Sequence, residues 1–314
     1  MRATAPRAST DGCLDAVLAL AGGDLERALL LFRSLEVFFE PLGTCYVVTP
    51  DRDADFVRRR LPPGPYVVVP ESEIVPEIGY FWSVARLRAK LRLVGPPIHG
   101  WYVQQLVKLS VAERVATPFY LTLDADVLCV RPTGYNDLVR DGRAIVQTTP
   151  PNHPEWNDDA ERVLALPRSG RQYGVTPAVL SRDAALELAS YLEGRVDRRM
   201  RRFAENLPPG RVRDVVGSWR SFLFRNLPWT EYALYHTFLE RTNRFDAYHV
   251  NGGVDVLYGN CVWMESEFES WDLTASDGDV AAPPFSIVQS ATRIPPAAIR
   301  AKIESYLTTR AVPA

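Results

Sequence analysis

The chain has 314 residues, of which 46% are hydrophobic and 24% are charged, so it can bury a substantial core. Its 36 basic and 38 acidic residues give a net charge of −2, which argues against general nucleic-acid binding because that function requires a basic excess. Four scattered cysteines lack the spacing of a zinc or redox site. Neither a signal peptide nor a run of about 18 apolar residues is recognisable, so we expect a cytoplasmic protein without an integral membrane segment.

Strand and helix patterns alternate in the first part of the chain. The strand patterns fall at 13–20, 44–48 and 66–69, and the helical patterns between them at 24–39 and 53–61. Asp24 stands where it can cap the first helix. Such alternation predicts an α/β fold with a mostly parallel, Rossmann-like sheet flanked by helices. Residues 1–12 are expected to form a disordered leader, and residues 13–314 one domain.

The later elements are less regular. Helices are predicted at 81–93, 101–115, 155–165, 183–193, 230–241 and 296–307, and strands at 119–123, 144–148, 245–250 and 285–289. Thr230 is the expected cap of the helix that begins after it. Residues 204–230 are rich in proline and predict an irregular segment. Cys45 and Cys129 lie in apolar strand patterns and are predicted to be buried thiols.

The most informative segment is Asp124-Ala125-Asp126, which directly follows the apolar strand at 119–123. Parallel α/β sheets bind ligands at the carboxyl ends of their strands, where two such carboxylates can converge on one cation. Mg²⁺ and Mn²⁺ prefer oxygen ligands and are commonly held by one or two carboxylates and substrate phosphates. The alternative interpretation is a polar turn with two solvated aspartates.

Three segments together resemble the GT-A glycosyltransferases. They are Gln104-Gln105 with Lys108-Leu109, then Leu123 to Val127, and then Glu231 to Tyr235, a QQxxKL, LDxDV and EYxLY pattern similar to a bacterial branch of that superfamily. The resemblance implies a GT-A fold and the metal-dependent transfer of a sugar from a nucleotide-sugar donor to a small-molecule or glycan acceptor. A UDP-sugar is the expected donor. It also implies a nucleotide-sugar half at 13–132 and an irregular, helical acceptor half at 133–314.

The resemblance assigns donor contacts to several positions. Asp24 and Asp51, after the first two strands, would contact the nucleobase and ribose, although Asp24 can equally be a helix cap. Lys108, or Arg86 and Lys90 on the preceding helix, would meet the diphosphate or the sugar. For any single one of these cations the alternative is ordinary surface charge.

Gly174 lies in the segment 172–177, which resembles the glycine-containing loop that lines the donor sugar and acceptor in this superfamily. An ordinary turn before the next helix is the alternative. Glu231, in the first turn of its helix, would be the general base that removes a proton from the acceptor hydroxyl. The superfamily usually has two adjacent acids here, whereas this chain has Glu231-Tyr232. The alternative for Glu231 is therefore a carboxylate that stabilises the helix dipole.

The superfamily often supplies a further metal ligand, a histidine near the carboxyl terminus. His249 on a predicted strand and Gln289 at the end of the last strand are the candidates, although a lone histidine on a strand is more often structural. His153 could face the acceptor, and His236 could simply pack within its helix. Among the tryptophans, Trp219 and Trp229 are the ones predicted to line an acceptor cleft.

Two other functions compete with sugar transfer. A nucleotidyltransferase uses a similar sheet, but it would need a glycine-rich phosphate loop that the segment after Gly22-Gly23 does not provide. A non-catalytic nucleotide-sugar-binding protein on the same scaffold is the second alternative. The presence of Lys108, Asp124, Asp126 and Glu231 argues against a decayed site.

Overall fold

The structure is a computed structural model that describes residues 12–92, 100–197, 217–276 and 282–310 and the single positions 199, 202 and 206. Apart from Gly12, the predicted leader lies outside these residues. The strands are β1 (Leu14–Ala19), β2 (Leu42–Thr49), β3 (Tyr66–Pro70), β4 (Phe119–Leu123), β5 (Val127–Cys129), β6 (Val139–Arg140), β7 (Arg143–Thr149), β8 (Gln172–Tyr173), β9 (Ala178–Ser181), β10 (His249–Gly253) and β11 (Phe285–Ile287).

The central sheet has five strands in the order β3-β2-β1-β4-β9. The first four are parallel, and β9 is antiparallel to β4. A second sheet has the order β10-β7-β6, with β8 also paired to β7, and β11 pairs with β5. The predicted fold class, an α/β protein with a mostly parallel sheet, is confirmed.

Twelve helices are described. They are α1 (Leu25–Phe38), α2 (Ala54–Arg58), α3 (Glu71–Ile74), α4 (Ile78–Lys90), α5 (Gly100–Ser110), α6 (Tyr135–Leu138), α7 (Pro154–Leu164), α8 (Arg182–Arg195), α9 (Trp219–Arg225), α10 (Glu231–Arg241), α11 (Phe245–Tyr248) and α12 (Pro296–Arg310). Thr230 caps α10 by accepting a hydrogen bond from the N–H of Ala233, as predicted. Asp24 precedes α1, but its carboxylate makes no capping hydrogen bond because a 3-10 turn at Gly22–Asp24 leads into the helix.

The strand predicted at 245–250 is only partly correct. Phe245–Tyr248 forms the helical turn α11, and the strand β10 begins at His249. Aromatic residues favour strands, but Phe245 and Tyr248 are three positions apart, so a helical turn places both on one face. Both are buried there.

Strand β1 separates two hydrophobic cores. Val17 and Ala19 pack into one core with α5 and α10, whereas Leu14, Ala16 and Leu18 pack into the other with α1 and α12. Alternate residues of a strand point to opposite faces, so a strand buried on both faces needs a continuous apolar run. Each core combines residues from the early and late parts of the chain.

The free cysteines Cys45 and Cys129 are buried, as predicted. Burial raises the pKa of each thiol to about 12. None of the described helices is long and apolar enough to cross a lipid bilayer.

Candidate active site

The acidic pair lies where buried strand β4 ends. Asp124 follows the strand directly, and Asp126 lies in the tight turn that leads into β5. The Oδ2 atom of Asp126 accepts a hydrogen bond from the N–H of Ser290 at 2.8 Å, and its carbonyl accepts one from the N–H of Val288 at 3.0 Å. The turn that carries the acidic pair is therefore fixed by a segment near the carboxyl end of the chain.

Lys108 connects the acidic pair to Glu231. Its Nζ lies 3.0 Å from Oδ1 of Asp124, 3.1 Å from Oε1 of Glu231 and 2.6 Å from Oγ1 of Thr176. An ammonium group has three N–H donors, and these three partners use all of them. Lys108 is buried, so it is not an ordinary surface charge. Its contact with the diphosphate or the sugar stays a prediction.

Neighbouring side chains hold Glu231 and Lys108 in place. Oε1 of Gln105 accepts a hydrogen bond from the N–H of Glu231 at 3.0 Å. The hydroxyl of Tyr232 is hydrogen-bonded to Thr122 at 2.7 Å and to Thr176 at 2.8 Å. The segments 104–109, 123–127 and 231–235, distant in the sequence, therefore meet through their polar side chains.

The charges in this network influence one another strongly. Burial raises the pKa of Glu231, and the nearby Lys108 only partly offsets that effect. Burial disfavours the charged form of Lys108, but the surrounding acidic groups, Asp124 first, raise its pKa well above the usual value. Burial and then the charge of Asp124 raise the pKa of Asp126. The site thus combines a protonated lysine with carboxylates that are crowded against each other.

A cleft of about 780 Å³ opens in front of the acidic pair. Asp124, Asp126 and Gln289 line it, and so do Asp255 and Trp263 on the side of β10 and β11. A recess of about 80 Å³ adjoins the cleft and contains Lys108 and Glu231. Residues common to both linings are Trp101, Asp124, Trp156, Gln172, Tyr173, Val175 and Thr176.

The two candidates for the further metal ligand have different surroundings. Gln289 lines the cleft beside Asp126. His249 is fully buried, and its Nε2 is hydrogen-bonded to the hydroxyl of Tyr235 at 2.8 Å. Burial lowers its pKa to about 3. The prediction that placed His249 with the acidic pair is therefore wrong, because the ring points into an aromatic cluster with Tyr235, His236 and Phe245.

No group of three histidine, cysteine, aspartate or glutamate side chains in the described part of the chain is arranged to hold a metal. A metal at the acidic pair would thus need Gln289, water or a substrate oxygen in addition to the two carboxylates.

Asp24 and Asp51 lie apart from the cleft lining. Asp51 follows β2 directly, is exposed, and accepts a hydrogen bond from the N–H of Ser72 at 3.1 Å. Asp24 is half-buried at the start of α1. Arg86 and Lys90 are exposed on α4.

Gly174 lines the recess, where its backbone N–H donates to the carbonyl of Gln147 at 2.8 Å. A Cβ at this position would lie 2.9 Å from the hydroxyl of Tyr258. Any other residue here would therefore require the side chain of Tyr258 to shift, and its hydroxyl accepts a hydrogen bond from the N–H of Val175.

The tryptophans that line the cleft are not the ones predicted. Trp219 and Trp229 are buried in the core, and the indole N–H of Trp229 donates to the carbonyl of Leu223. Trp101, Trp156 and Trp263 line the cleft instead. The sequence could have indicated Trp101, because it lies seven residues before Lys108 on the same helix and therefore on the same helix face. His153 lines the cleft and stacks on Trp156, whereas His236 is buried against Tyr173.

The chain was compared with solved structures and with known proteins. Two of the solved structures that it is similar to are mouse xyloside xylosyltransferase 1 in its apo form, and galactosyltransferase LgtC in complex with donor and acceptor sugar analogs. The first is 9% identical with a TM-score of 0.43, and the match covers 90% of this chain and 100% of that one. The second is 11% identical with a TM-score of 0.48, and the match covers 96% and 97%.

None of the curated proteins matches the chain. The model described as "Family of unknown function (DUF6492)" matches residues 12–311. The chain therefore belongs to the DUF6492 family.

Proposed function

We propose that the protein transfers a sugar from a nucleoside-diphosphate donor, with a UDP-sugar as first candidate, to a hydroxyl group of a small-molecule or glycan acceptor. The main support is the position of Asp124 and Asp126 at the end of β4, where they line a cleft. The recess that adjoins this cleft contains the buried carboxylate of Glu231. Carboxylates at the carboxyl end of a parallel strand suit a cation-assisted reaction of a phosphorylated substrate.

The residues present fit Mn²⁺ or Mg²⁺. Asp126 has a raised pKa because it is buried beside another carboxylate, and a divalent cation would relieve that repulsion. Asp124 and Asp126 would hold the ion, with the amide oxygen of Gln289 as a further ligand, and all three offer the oxygen atoms that these metals prefer. When bound, the ion would neutralise the departing diphosphate.

The described lining of the cleft supports a role for such a cation. Lys108 is the only lysine or arginine among the described residues that line the cleft and the recess. All three of its N–H groups are bonded to Asp124, Thr176 and Glu231. Among the described lining residues, no lysine or arginine is therefore left free for a diphosphate, and Lys108 would act as a positioning residue for the two carboxylates.

Glu231 is the proposed general base. Its carboxylate would take the proton from the acceptor hydroxyl while that oxygen bonds to the anomeric carbon. As this bond forms, the bond from the anomeric carbon to the diphosphate oxygen breaks, and the diphosphate leaves with the electron pair. In-line attack inverts the anomeric centre. A pKa raised by burial supports this role, because a stronger base accepts the proton more readily.

The remaining donor contacts are proposed from position. Asp24 and Asp51 lie near the ends of the adjacent strands β1 and β2, where they would contact the ribose and nucleobase. The loop at Gly174 lines the recess and would border the donor sugar.

A donor screen tests the proposal. The purified protein is heated with a panel of nucleotide sugars, each with and without Mn²⁺ or Mg²⁺, and nucleoside diphosphate release is then measured with candidate acceptors. We expect one donor to stabilise the protein only when metal is present, and to be turned over. Asp126→Asn should lose both responses. Asp55→Asn, at an exposed aspartate paired with Arg58, is the matched control and should keep both.

Three results would contradict the proposal. Stabilisation by no donor would refute nucleotide-sugar binding. Equal responses with and without metal, or in the Asp126→Asn variant, would refute the metal assignment. Metal-dependent donor binding without turnover across the acceptor panel would favour the non-catalytic nucleotide-sugar-binding protein.

A further inference from the structure

Arg27 is a buried cation that joins the first helix to a segment near the carboxyl end of the chain. It lies in the first turn of α1 and is 8% exposed. Its Nη1 donates to the carbonyl of Val288 at 3.1 Å, and its Nη2 donates to the carbonyl of Ile294. Burying a charged group is costly unless the group is hydrogen-bonded, so the guanidinium and the two carbonyls stabilise one another.

The two carbonyls belong to the two ends of one short loop, residues 288–294. Within this loop, Ser290–Thr292 forms a 3-10 turn, and Arg293 then adopts a left-handed backbone conformation with φ of 60°. A guanidinium group is planar and its N–H groups point in fixed directions. Because Arg27 binds both ends of the 288–294 loop with one rigid group, it fixes their spacing.

The 288–294 loop carries two groups that face the acidic pair. The N–H of Ser290 donates to Oδ2 of Asp126 at 2.8 Å, so the loop orients that carboxylate. The side chain of Gln289, a proposed ligand of the cation, lines the cleft. Gln289 and Ser290 both lie between the two carbonyls that Arg27 binds. A change in the spacing of the loop ends would therefore displace the amide of Gln289 and release the carboxylate of Asp126.

Further hydrogen bonds hold the first part of the loop. The N–H of Val288 donates to the carbonyl of Asp126 at 3.0 Å, and the N–H of Gln289 donates to the carbonyl of Val262 at 3.0 Å. The bond from Arg27 to Ile294 holds the other end. Loss of the guanidinium should therefore loosen the loop without detaching it from the sheet.

We infer that Arg27 is a positioning residue for the cation site, because it sets the geometry of the 288–294 loop and thereby places Gln289 and the carboxylate of Asp126. The inference rests on the proposed function for the role of the cation. Arg27 is not among the described residues that line the cleft, so it acts through the loop. Replacing a residue that orients metal ligands commonly changes metal affinity by about 10–100-fold.

Hydrogen exchange in Arg27→Lys, followed by mass spectrometry on the metal-free protein, tests the first step. A lysine ammonium is a single point charge and does not reproduce the two-pronged contact, so exchange over residues 287–292 should become at least about ten-fold faster. Arg220→Lys is the matched control and should exchange there as the wild type does. Arg220 is also 8% exposed, but it donates to Ser110 and Glu113 and is not among the described residues of the cleft lining.

Mn²⁺ binding tests the second step, with the free ion measured by electron paramagnetic resonance in the absence of donor. The affinity for Mn²⁺ should fall about ten-fold in Arg27→Lys and stay within about two-fold of the wild type in Arg220→Lys. Arg27→Gln, which removes the charge but keeps one donor group, is the second variant and should lose at least as much affinity. Urea unfolding shows whether Arg27→Lys and Arg220→Lys lose similar stability.

Three outcomes would overturn the inference alone. They are unchanged exchange in both Arg27 variants, faster exchange with unchanged Mn²⁺ affinity, which would make Arg27 a purely structural residue, and an equal loss of Mn²⁺ affinity in Arg220→Lys. A wild-type protein that binds no Mn²⁺ would instead overturn the proposed cation site and this inference together. The two failures are therefore distinguishable, because the first three outcomes leave the donor screen intact.

Discussion

Two groups of carboxylates lie at the carboxyl ends of parallel strands, and they are built differently. Asp51 and Asp53 follow β2 and Glu71 follows β3, and main-chain N–H groups of Ser72 and Gly22 bind the two aspartates. Asp124 and Asp126, after β4, meet a buried lysine and open into a cleft. Position at a strand end is common to both groups. The buried lysine and the adjoining recess are what distinguish the acidic pair as the proposed reaction site.

The strongest test of this contrast replaces one carboxylate from each group. Asp124→Ala should reduce sugar transfer by at least about 100-fold, because it removes a proposed metal ligand and a partner of Lys108. Asp51→Ala should raise the donor KM by about ten-fold at most, since it would remove one proposed hydrogen bond to the donor. Steady-state kinetics measure both effects, and similar losses in the two variants would erase the distinction between the groups.

Glu231→Gln should lower kcat by about 10²–10⁴-fold while the metal-dependent thermal shift with donor persists. The amide keeps the shape of the side chain but cannot accept the proton. Because burial raises the pKa of Glu231, the wild-type rate should fall as the pH drops through that pKa and the base becomes protonated. The rate of the Glu231→Gln variant should not show this fall. Glu36→Gln, at an exposed glutamate paired with Arg33, is the control. Normal turnover in Glu231→Gln would reassign the base.

Lys108→Met should lower the free energy of unfolding by about 3 kcal/mol, because it leaves buried Glu231 without its counter-ion. Urea unfolding measures the change. Adding Glu231→Gln to this variant should recover part of the loss, since the unpaired charge is then removed. Lys302→Met is the matched control, because that ammonium donates only to carbonyl oxygens near the surface, and it should cost about 1 kcal/mol. Equal losses would show that the Lys108 ion pairs contribute little.

The smallest expected effect concerns Glu71 in the other group. Burial, reinforced by Asp51, raises its pKa to about 7 from an ordinary value of 4.5. Because the pKa is raised only in the folded protein, the contribution of Glu71 to the free energy of unfolding is fully present below pH 4.5. It is lost as the pH rises through 7. Glu71→Gln should therefore stabilise the protein by about 1–2 kcal/mol at pH 8 and by nothing at pH 4. Urea unfolding at both pH values checks this, with Glu73→Gln on the same short helix as control.

Local patterns in the sequence predicted much of the fold. Alternating strands and helices gave the parallel sheet, and Thr230 was recognisable as a cap because capping involves residues only a few positions apart. The acidic pair was visible for the same reason, since an apolar strand ends directly before it.

Contacts between distant residues were not predictable in the same way. The hydrogen bond from the N–H of Glu231 to Gln105 joins two helices that lie far apart in the chain. The exposure of Trp101 and Trp263, and the burial of Trp219 and Trp229, likewise depend on which elements pack against them. His249 was misassigned because a strand pattern does not reveal which face meets an aromatic core.

Strand β11 has a consequence for how the protein is made. It pairs with β5 directly behind Asp126, and the N–H groups of Val288 and Ser290 then bind that residue. Buried Arg27 on α1 also donates to the carbonyls of Val288 and Ile294. During synthesis from the amino terminus, β1 to β4 emerge well before these partners do, and such distant pairings form slowly. The acidic pair therefore acquires its final geometry only when residues 285–290 have left the ribosome, so a chain that stops before them would lack the finished site.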